Sequence, residues 1–262
     1  MELLEASQIW AALSNKKHLA HLDILDSVDS TNSYAFAPEN KNKAVPYACL
    51  AEYQSAGRGQ HGRQWLSPYA SGLCLSLKYH YTNLKKPLLL SGLNIALAVT
   101  VARVLHELGV SDIGLKWPND VIWQGRKLAG LLLESRYSAN KEYEVVIGIG
   151  MNVKMPIETI ETEGITQAWV DLCTVLGHSI SRNKLAAMLI EQCLDTFMNY
   201  PELGLVAFLD DWHKFDLSYG KTVTLKIPHK GFVTGTAWGI NELGALRVDK
   251  QYYPFGEVSL RL

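Results

Sequence analysis

The sequence predicts an α+β protein, a mixed β-sheet flanked by helices and followed by a small β-barrel. Three observations carry this prediction. Short apolar runs with strand character recur between Tyr47 and Val153. Two longer segments repeat apolar residues at helical spacing instead. From about Tyr219 the texture changes to brief strands divided by turn residues. A chain of 262 residues accommodates one large and one small unit, and the change in texture places their expected boundary between 1–215 and 216–262.

Residues 5–14 allow one short amphipathic helix. Strands are expected over 47–53, 73–80, 114–117, 121–124, 128–135 and 144–153, with Gln124-Gly125-Arg126 turning a hairpin. The longest apolar stretch, 88–108, places Leu90, Leu93, Leu97, Val101, Val104 and Leu108 on one helical face and stops at Gly109. Ser91, Asn94, Thr100, Arg103 and Glu107 interrupt it, so it reads as a core helix and not a membrane span. Ser181 is a candidate N-cap for a helix through Tyr200, with Leu185, Met188, Leu189 and Phe197 facing inward. Barrel strands follow over 222–227, 232–238, 245–248 and 258–260, with a turn at Asn241-Glu242-Leu243-Gly244. Gly220-Lys221-Thr222 mimics the end of a phosphate-binding loop, but position 215 is Phe where that motif needs Gly, so it is a strand-opening turn.

Composition excludes several classes. With 48% apolar and 19% charged residues and a formal charge of −1, the chain has no general attraction for nucleic acid or anionic membrane. Cys49, Cys74, Cys173 and Cys193 lack metal-ligand or disulfide-framework spacing and read as reduced thiols in a cytoplasmic protein. Met1-Glu2-Leu3-Leu4-Glu5 is unlike a secretory signal.

Chemistry concentrates in Gly57-Arg58-Gly59-Gln60-His61-Gly62-Arg63-Gln64-Trp65, directly after an apolar strand. Glycine lets the main chain approach a ligand, and the guanidinium forks of Arg58 and Arg63 suit carboxylate or phosphate. The ligand is expected to be an anion. The same letters spell the dinucleotide fingerprint, which also requires a following helix and a later acid. Instead Leu73-Cys74-Leu75-Ser76-Leu77 continues as a strand and positions 79–84 contain no acid. Further polar segments accompany the loop: Asp29-Ser30-Thr31-Asn32, Lys116-Trp117-Pro118-Asn119-Asp120, Lys127-Leu128-Ala129-Gly130 and Gly148-Ile149-Gly150-Met151-Asn152-Val153.

In order and spacing these segments resemble the biotin protein ligases (biotin-[acetyl-CoA-carboxylase] ligases), which activate biotin with ATP and attach it to a carboxylase carrier lysine. The resemblance runs from about Asp26 to the C-terminus. It implies a catalytic domain of the class II aminoacyl-tRNA synthetase-like, biotin-lipoate ligase fold with an SH3-like barrel. The substrates would be biotin and ATP with Mg²⁺, the partner would be a biotin carboxyl carrier protein of acetyl-CoA carboxylase, and a homodimer is admitted. By the same resemblance Lys127 bridges biotin carboxylate and phosphate, with Arg58, Lys116 and Asp120 also catalytic and Asp120 contributing to Mg²⁺ binding. Ser30, Thr31, Asn32, Gln54 and Gly57 would contact the biotin head group, with Arg58, Gly59, Gln60, Lys127 and Gly130 completing the biotin site. Arg58, Arg63, Trp65, Lys116, Asn119 and Asn152 lie toward ATP and the adenylate.

The residue types fit that chemistry. Ser30, Thr31, Asn32 and Gln54 offer neutral hydrogen-bonding groups suited to an uncharged ureido ring. Arg58, Arg63, Lys116 and Lys127 can offset the repulsion of a carboxylate meeting a phosphate, and no covalent enzyme intermediate is needed. Read singly, Ser30-Thr31-Asn32 is also a helix N-cap, and a lysine beside a turn is ordinarily a solvated surface residue. Gln60 and His61 depart from the pattern, because many bacterial relatives carry arginines there. Some biotin ligases also bear an N-terminal winged-helix DNA-binding domain, yet only 25 residues precede Asp26, so a ligase without DNA binding is expected. A lipoate or octanoate ligase is the nearest rival, and a non-catalytic biotin sensor or repressor is the rival of another class.

Overall fold

The computed structural model describes residues 2–82, 90–137, 142–156, 167–228, 231–255 and 259–261. Its main sheet comprises β1 (His21–Val28), β2 (Tyr47–Gln54), β3 (Gly72–Tyr81), β4 (Ile113–Lys116), β5 (Asp120–Trp123), β6 (Arg126–Tyr137) and β7 (Tyr143–Asn152). The strand order is β1-β2-β3-β7-β6-β5-β4. β1 runs parallel to β2 and all other neighbours are antiparallel. Six strands thus occupy the expected segments, and the Gln124-Gly125 turn takes positive φ at both residues, as a tight hairpin requires. β1 is an addition. Asp23 and Asp26 break its apolar pattern, which is tolerated because it is a half-exposed edge strand.

Alternation along the central strands divides the sheet into two faces. Leu73, Leu75, Leu77, Ile147, Ile149 and Met151 enter the main apolar core with α3 (Leu93–Glu107) and α4 (Arg182–Leu203). α3 starts later than the apolar run, after a turn in which Gly92 has φ +79°, and ends before Gly109 at φ +91°. Leu88 lies outside the described residues, as does Val258 of the last expected strand. The Ser181 side chain accepts from Lys184 N at 3.3 Å, so the expected cap is present. On the opposite face the short α2 (Thr31–Phe36) packs on β2, β3 and β7, and the cleft described below opens on this side.

The N-terminal segment is stapled beside β2. Arg182 Nη2 meets Glu52 Oε2 at 2.6 Å with only 4% and 5% of the two side chains exposed. Glu52 Oε1 also accepts from Leu4 N at 2.5 Å, while Arg182 Nη1 donates to Glu2 O at 2.9 Å. α1 (Ala6–Ala12) follows and packs on α4.

The C-terminal unit contains β8 (Thr222–Ile227), β9 (Gly231–Ile240), β10 (Leu246–Val248), β11 (Gln251–Tyr253) and β12 (Ser259–Arg261). They form an antiparallel sheet in the order β11-β10-β9-β8-β12. Among the described residues no pairing joins β11 to β12, so a five-stranded sheet stands where the barrel was expected. Its Val223, Leu225, Ala237, Leu246 and Val248 belong to the same buried cluster as the main sheet. Trp117 Nε1 donates to Gly244 O at 3.0 Å across the junction. Trp117 is 1% exposed and is therefore a core residue. No helix of the described residues is long and apolar enough to cross a membrane.

Removing one partner of a buried ion pair strands the other charge, at a cost of about 3–5 kcal/mol. Arg182→Met is expected to lower stability by that amount, read as a reduced midpoint in urea unfolding.

Candidate active site

The cleft is built by leaving side chains out. On β7, Gly148 and Gly150 face away from the main core, and register places Gly150 between Cys74 and Gly130, and Gly148 between Ser76 and Leu132. A Cβ at Gly148 would lie 2.5 Å from Asn32 Oδ1, and one at Gly150 would lie 2.4 Å from Trp65 Cε2. These glycines make a floor on which Asn32 and Trp65 can sit. The resulting cleft measures about 710 Å³, counting space open to solvent. It is lined by Ser30, Thr31, Asn32 and Gln54 from α2 and β2, and by Arg58, Gly59, Gln60, Arg63 and Trp65 from the glycine loop. Asn119, Asp120, Lys127 and Gly130 line it from the β5 and β6 side. Gly57, Lys116 and Asn152 are not among the described lining residues; Gly57 borders an adjoining cavity under the same loop.

Lys127 reaches the cleft because of a bulge. β5 pairs Asp120 with Gly130 and Val121 with Ala129, but Ile122 pairs with Lys127, so β6 carries one extra residue. Regular alternation from Gly130 would send Lys127 to the other face; the extra residue reverses the parity. Its Nζ lies 2.8 Å from Asp120 Oδ1 and 5.5 Å from the centre of the Trp65 ring. The backbone is clamped as well, since Lys127 N donates to Ala168 O at 2.9 Å and Lys127 O accepts from Val170 N at 3.0 Å. Asn152 reinforces the clamp, its Nδ2 donating to Lys127 O at 3.3 Å and Val170 O at 3.1 Å. Asn119 Nδ2 donates to Leu131 O and fixes the turn that carries Asp120.

The neutral polar residues form one chain of hydrogen bonds. Gln54 Oε1 accepts from Thr31 N at 2.8 Å and from Thr31 Oγ1 at 3.1 Å. Ser76 Oγ lies 2.7 Å from Thr31 Oγ1 and 2.5 Å from Asn32 Oδ1. Ser30 occupies the N-cap position of α2, yet its side chain makes no capping bond. Thr31, Asn32, Gln54 and Ser76 are thus oriented by one another.

The glycine loop is a tight hairpin closed by Gly59 N to Arg63 O at 2.7 Å and Trp65 N to Gly57 O at 2.9 Å. The Gly59 N–H is therefore used inside the loop. Arg58 and Arg63 carry the loop's charge. Arg58 forks onto Glu134, with Nη1 to Oε1 at 3.0 Å and Nη2 to Oε2 at 2.7 Å. Trp65 Nε1 is a buried donor with no partner among the described residues, a cost that a ligand acceptor would relieve. Burial pushes the Cys74 thiol up to about 11, so this thiol in the cleft wall is not a nucleophile at neutral pH.

Sequence reasoning missed Ser76 and Glu134. Their only signal is strand parity: Ser76 shares a face with Cys74, and Glu134 shares one with Gly130 and Leu132.

The model of the biotin/lipoate A/B protein ligase family matches residues 24–152. The "Bifunctional ligase/repressor BirA" of Escherichia coli is 35% identical over 265 residues, covering 100% of this chain and 79% of that protein. The chain belongs to this ligase family. A biotin--[acetyl-CoA-carboxylase] ligase of Paracoccus denitrificans is 34% identical, over 90% of this chain and 98% of its own length. The Aquifex aeolicus biotin protein ligase, solved in complex with biotin and ATP, superposes with a TM-score of 0.75 at 27% identity, covering 92% of this chain and 98% of that one. The cleft thus lies in the part of the chain that defines the family.

Gly150→Ala is expected to drive the new methyl into the Trp65 ring and displace it. Overpacking of this kind costs about 1–3 kcal/mol. A lowered urea midpoint together with a shifted tryptophan emission maximum checks it.

Proposed function

We propose that the chain joins biotin to ATP, forming biotinyl-5′-AMP with release of pyrophosphate, and then transfers the biotinyl group to a carrier-protein lysine. One observation carries this reading: a neutral, mutually hydrogen-bonded polar set adjoins a cationic loop and the Asp120–Lys127 pair across one glycine floor. The first suits an uncharged ureido ring, the second two anions that must meet. The names of the relatives support biotin over lipoate, which the shared family model does not separate.

Two unit charges about 4 Å apart at an effective dielectric near 20 repel by about 4 kcal/mol. Lys127 would offset this when its Nζ passes from Asp120 to the oxygens between biotin carboxylate and α-phosphate, with Arg58 and Arg63 holding the phosphate side. Lys116 would add positive potential from the end of β4, and Asn152 would act by fixing Lys127. Asp120 is the only carboxylate among the described residues lining the main cleft, Glu134 bordering the adjoining cavity, and no group of three or more metal-ligating side chains occurs among the described residues. One carboxylate fits a Mg²⁺ that arrives on substrate phosphates and keeps its remaining ligands there. Bound, the ion would neutralise phosphate charge.

Residues 1–215 would then be the ligase unit and 216–262 its C-terminal companion. The acceptor would be a biotin carboxyl carrier protein, the setting cytoplasmic, and self-association, if any, a homodimer. A formal charge of −1 favours no binding to duplex DNA. Pyrophosphate release with biotin but not with lipoate, followed by mass detection of biotinyl-AMP, tests the reading. Release with lipoate alone would replace it by the lipoate ligase.

Lys127→Ala is expected to reduce pyrophosphate release by at least about a hundredfold, while biotin affinity measured by isothermal titration changes only a few-fold. Near-normal release would remove Lys127 from the chemistry. Gln60→Arg adds a cation to the loop. Charged hydrogen bonds contribute about 1.5–3 kcal/mol against about 1 for neutral ones, so adenylate release should slow by about two- to thirty-fold in stopped flow. An unchanged rate would mean that the new side chain does not reach the phosphate.

A further inference from the structure

Glu134 stands where the neutral and cationic parts of the site meet. On β6 it shares a face with Gly130 and Leu132, so its carboxylate emerges on the cleft side of the sheet. Its two oxygens receive the Arg58 fork at 3.0 and 2.7 Å, and Oε2 also accepts from Asn32 Nδ2 at 2.8 Å. One carboxylate therefore holds both the amide assigned to the head group and the arginine assigned to the anion.

Resting on the ligase reading above, we propose that Glu134 is a positioning residue that holds Arg58 in reserve and competes with the ligand's anionic oxygens for it, thereby setting how tightly the adenylate is retained. Glu134 occupies the Nη1–Nη2 edge of the guanidinium, so Arg58 must leave Glu134 to present that edge to a phosphate. The exposures decide whether it can. Arg58 and Glu134 are 43% and 29% exposed, against 4% and 5% for Arg182 and Glu52. The second pair is locked by burial, whereas the first is wet enough to exchange and strong enough to shift an equilibrium by a small factor. Glu134 does not follow Arg58 out, because Asn32 holds it. Asn32 Nδ2 is itself steadied by Leu132 O at 3.2 Å.

A carboxylate that merely braced the loop would act with the opposite sign, which makes the proposal testable. Glu134→Gln keeps the size of the side chain and an acceptor for Asn32 but abolishes the competing charge. Biotinyl adenylate made in situ should leave this variant about two- to five-fold more slowly than wild type in stopped flow. In an Arg58→Ala background the same substitution should leave the release rate unchanged. Glu134→Ala should also slow release, and in addition weaken biotin binding in isothermal titration because Asn32 loses its anchor. Faster release from Glu134→Gln, or an equal effect with and without Arg58, overturns the role of Glu134 while leaving the ligase reading intact. A wild-type chain that releases no pyrophosphate with biotin and ATP removes both.

Discussion

A central strand stripped of side chains on one face is the constraint on which the rest of the cleft depends. Glycine in a strand interior is destabilising by roughly 0.5–1 kcal/mol relative to alanine, and β7 carries it at both Gly148 and Gly150. The cost is offset by position: β7 is hydrogen-bonded along its length to β3 on one side and β6 on the other. Only a fully paired strand could spare those side chains. The space gained is used at once by Asn32 above Gly148 and Trp65 above Gly150, each within van der Waals reach of the bare backbone.

Electrostatics around the cleft follow a second rule, that two of its cations are held by carboxylates. Lys127 rests on Asp120 and Arg58 on Glu134. Concentrating cations without such partners would strain the ligand-free protein by mutual repulsion. On the proposed reading, each contact of Lys127 or Arg58 with a ligand would exchange one ion pair for another, and affinity would be adjustable at the carboxylates as well as at the cations.

Much of this was legible in the sequence, and the remainder was hidden for identifiable reasons. Glycine loop, Lys127 and Asp120 were readable because their chemistry is unusual for their local context. The bulge that turns Lys127 into the cleft was not, since it is a mismatch between two strands and leaves no mark on either alone. Ser76 and Glu134 look like ordinary strand residues until register places them beside α2 and Arg58. Trp117 is the opposite case: it stands inside a polar motif, yet its ring is buried in the junction with the C-terminal sheet. β1 was overlooked because its acids suit an edge, and edges are defined only by the finished sheet.

The Trp117 contact has a reach beyond packing. The indole belongs to the turn that carries Asn119 and Asp120, while its acceptor, Gly244 O, belongs to a turn in which Gly244 sits so close to Ile95 and Gly92 that an added Cβ would lie 2.8 Å from the Ile95 side chain. Three segments far apart in sequence are thus bolted at one point, a few residues from the acidic partner of Lys127. Inherited variation in the Asn241–Gly244 turn would consequently be felt as faulty chemistry, although nothing in that turn lines the cleft, and a compensating change would be sought most fruitfully beside Trp117.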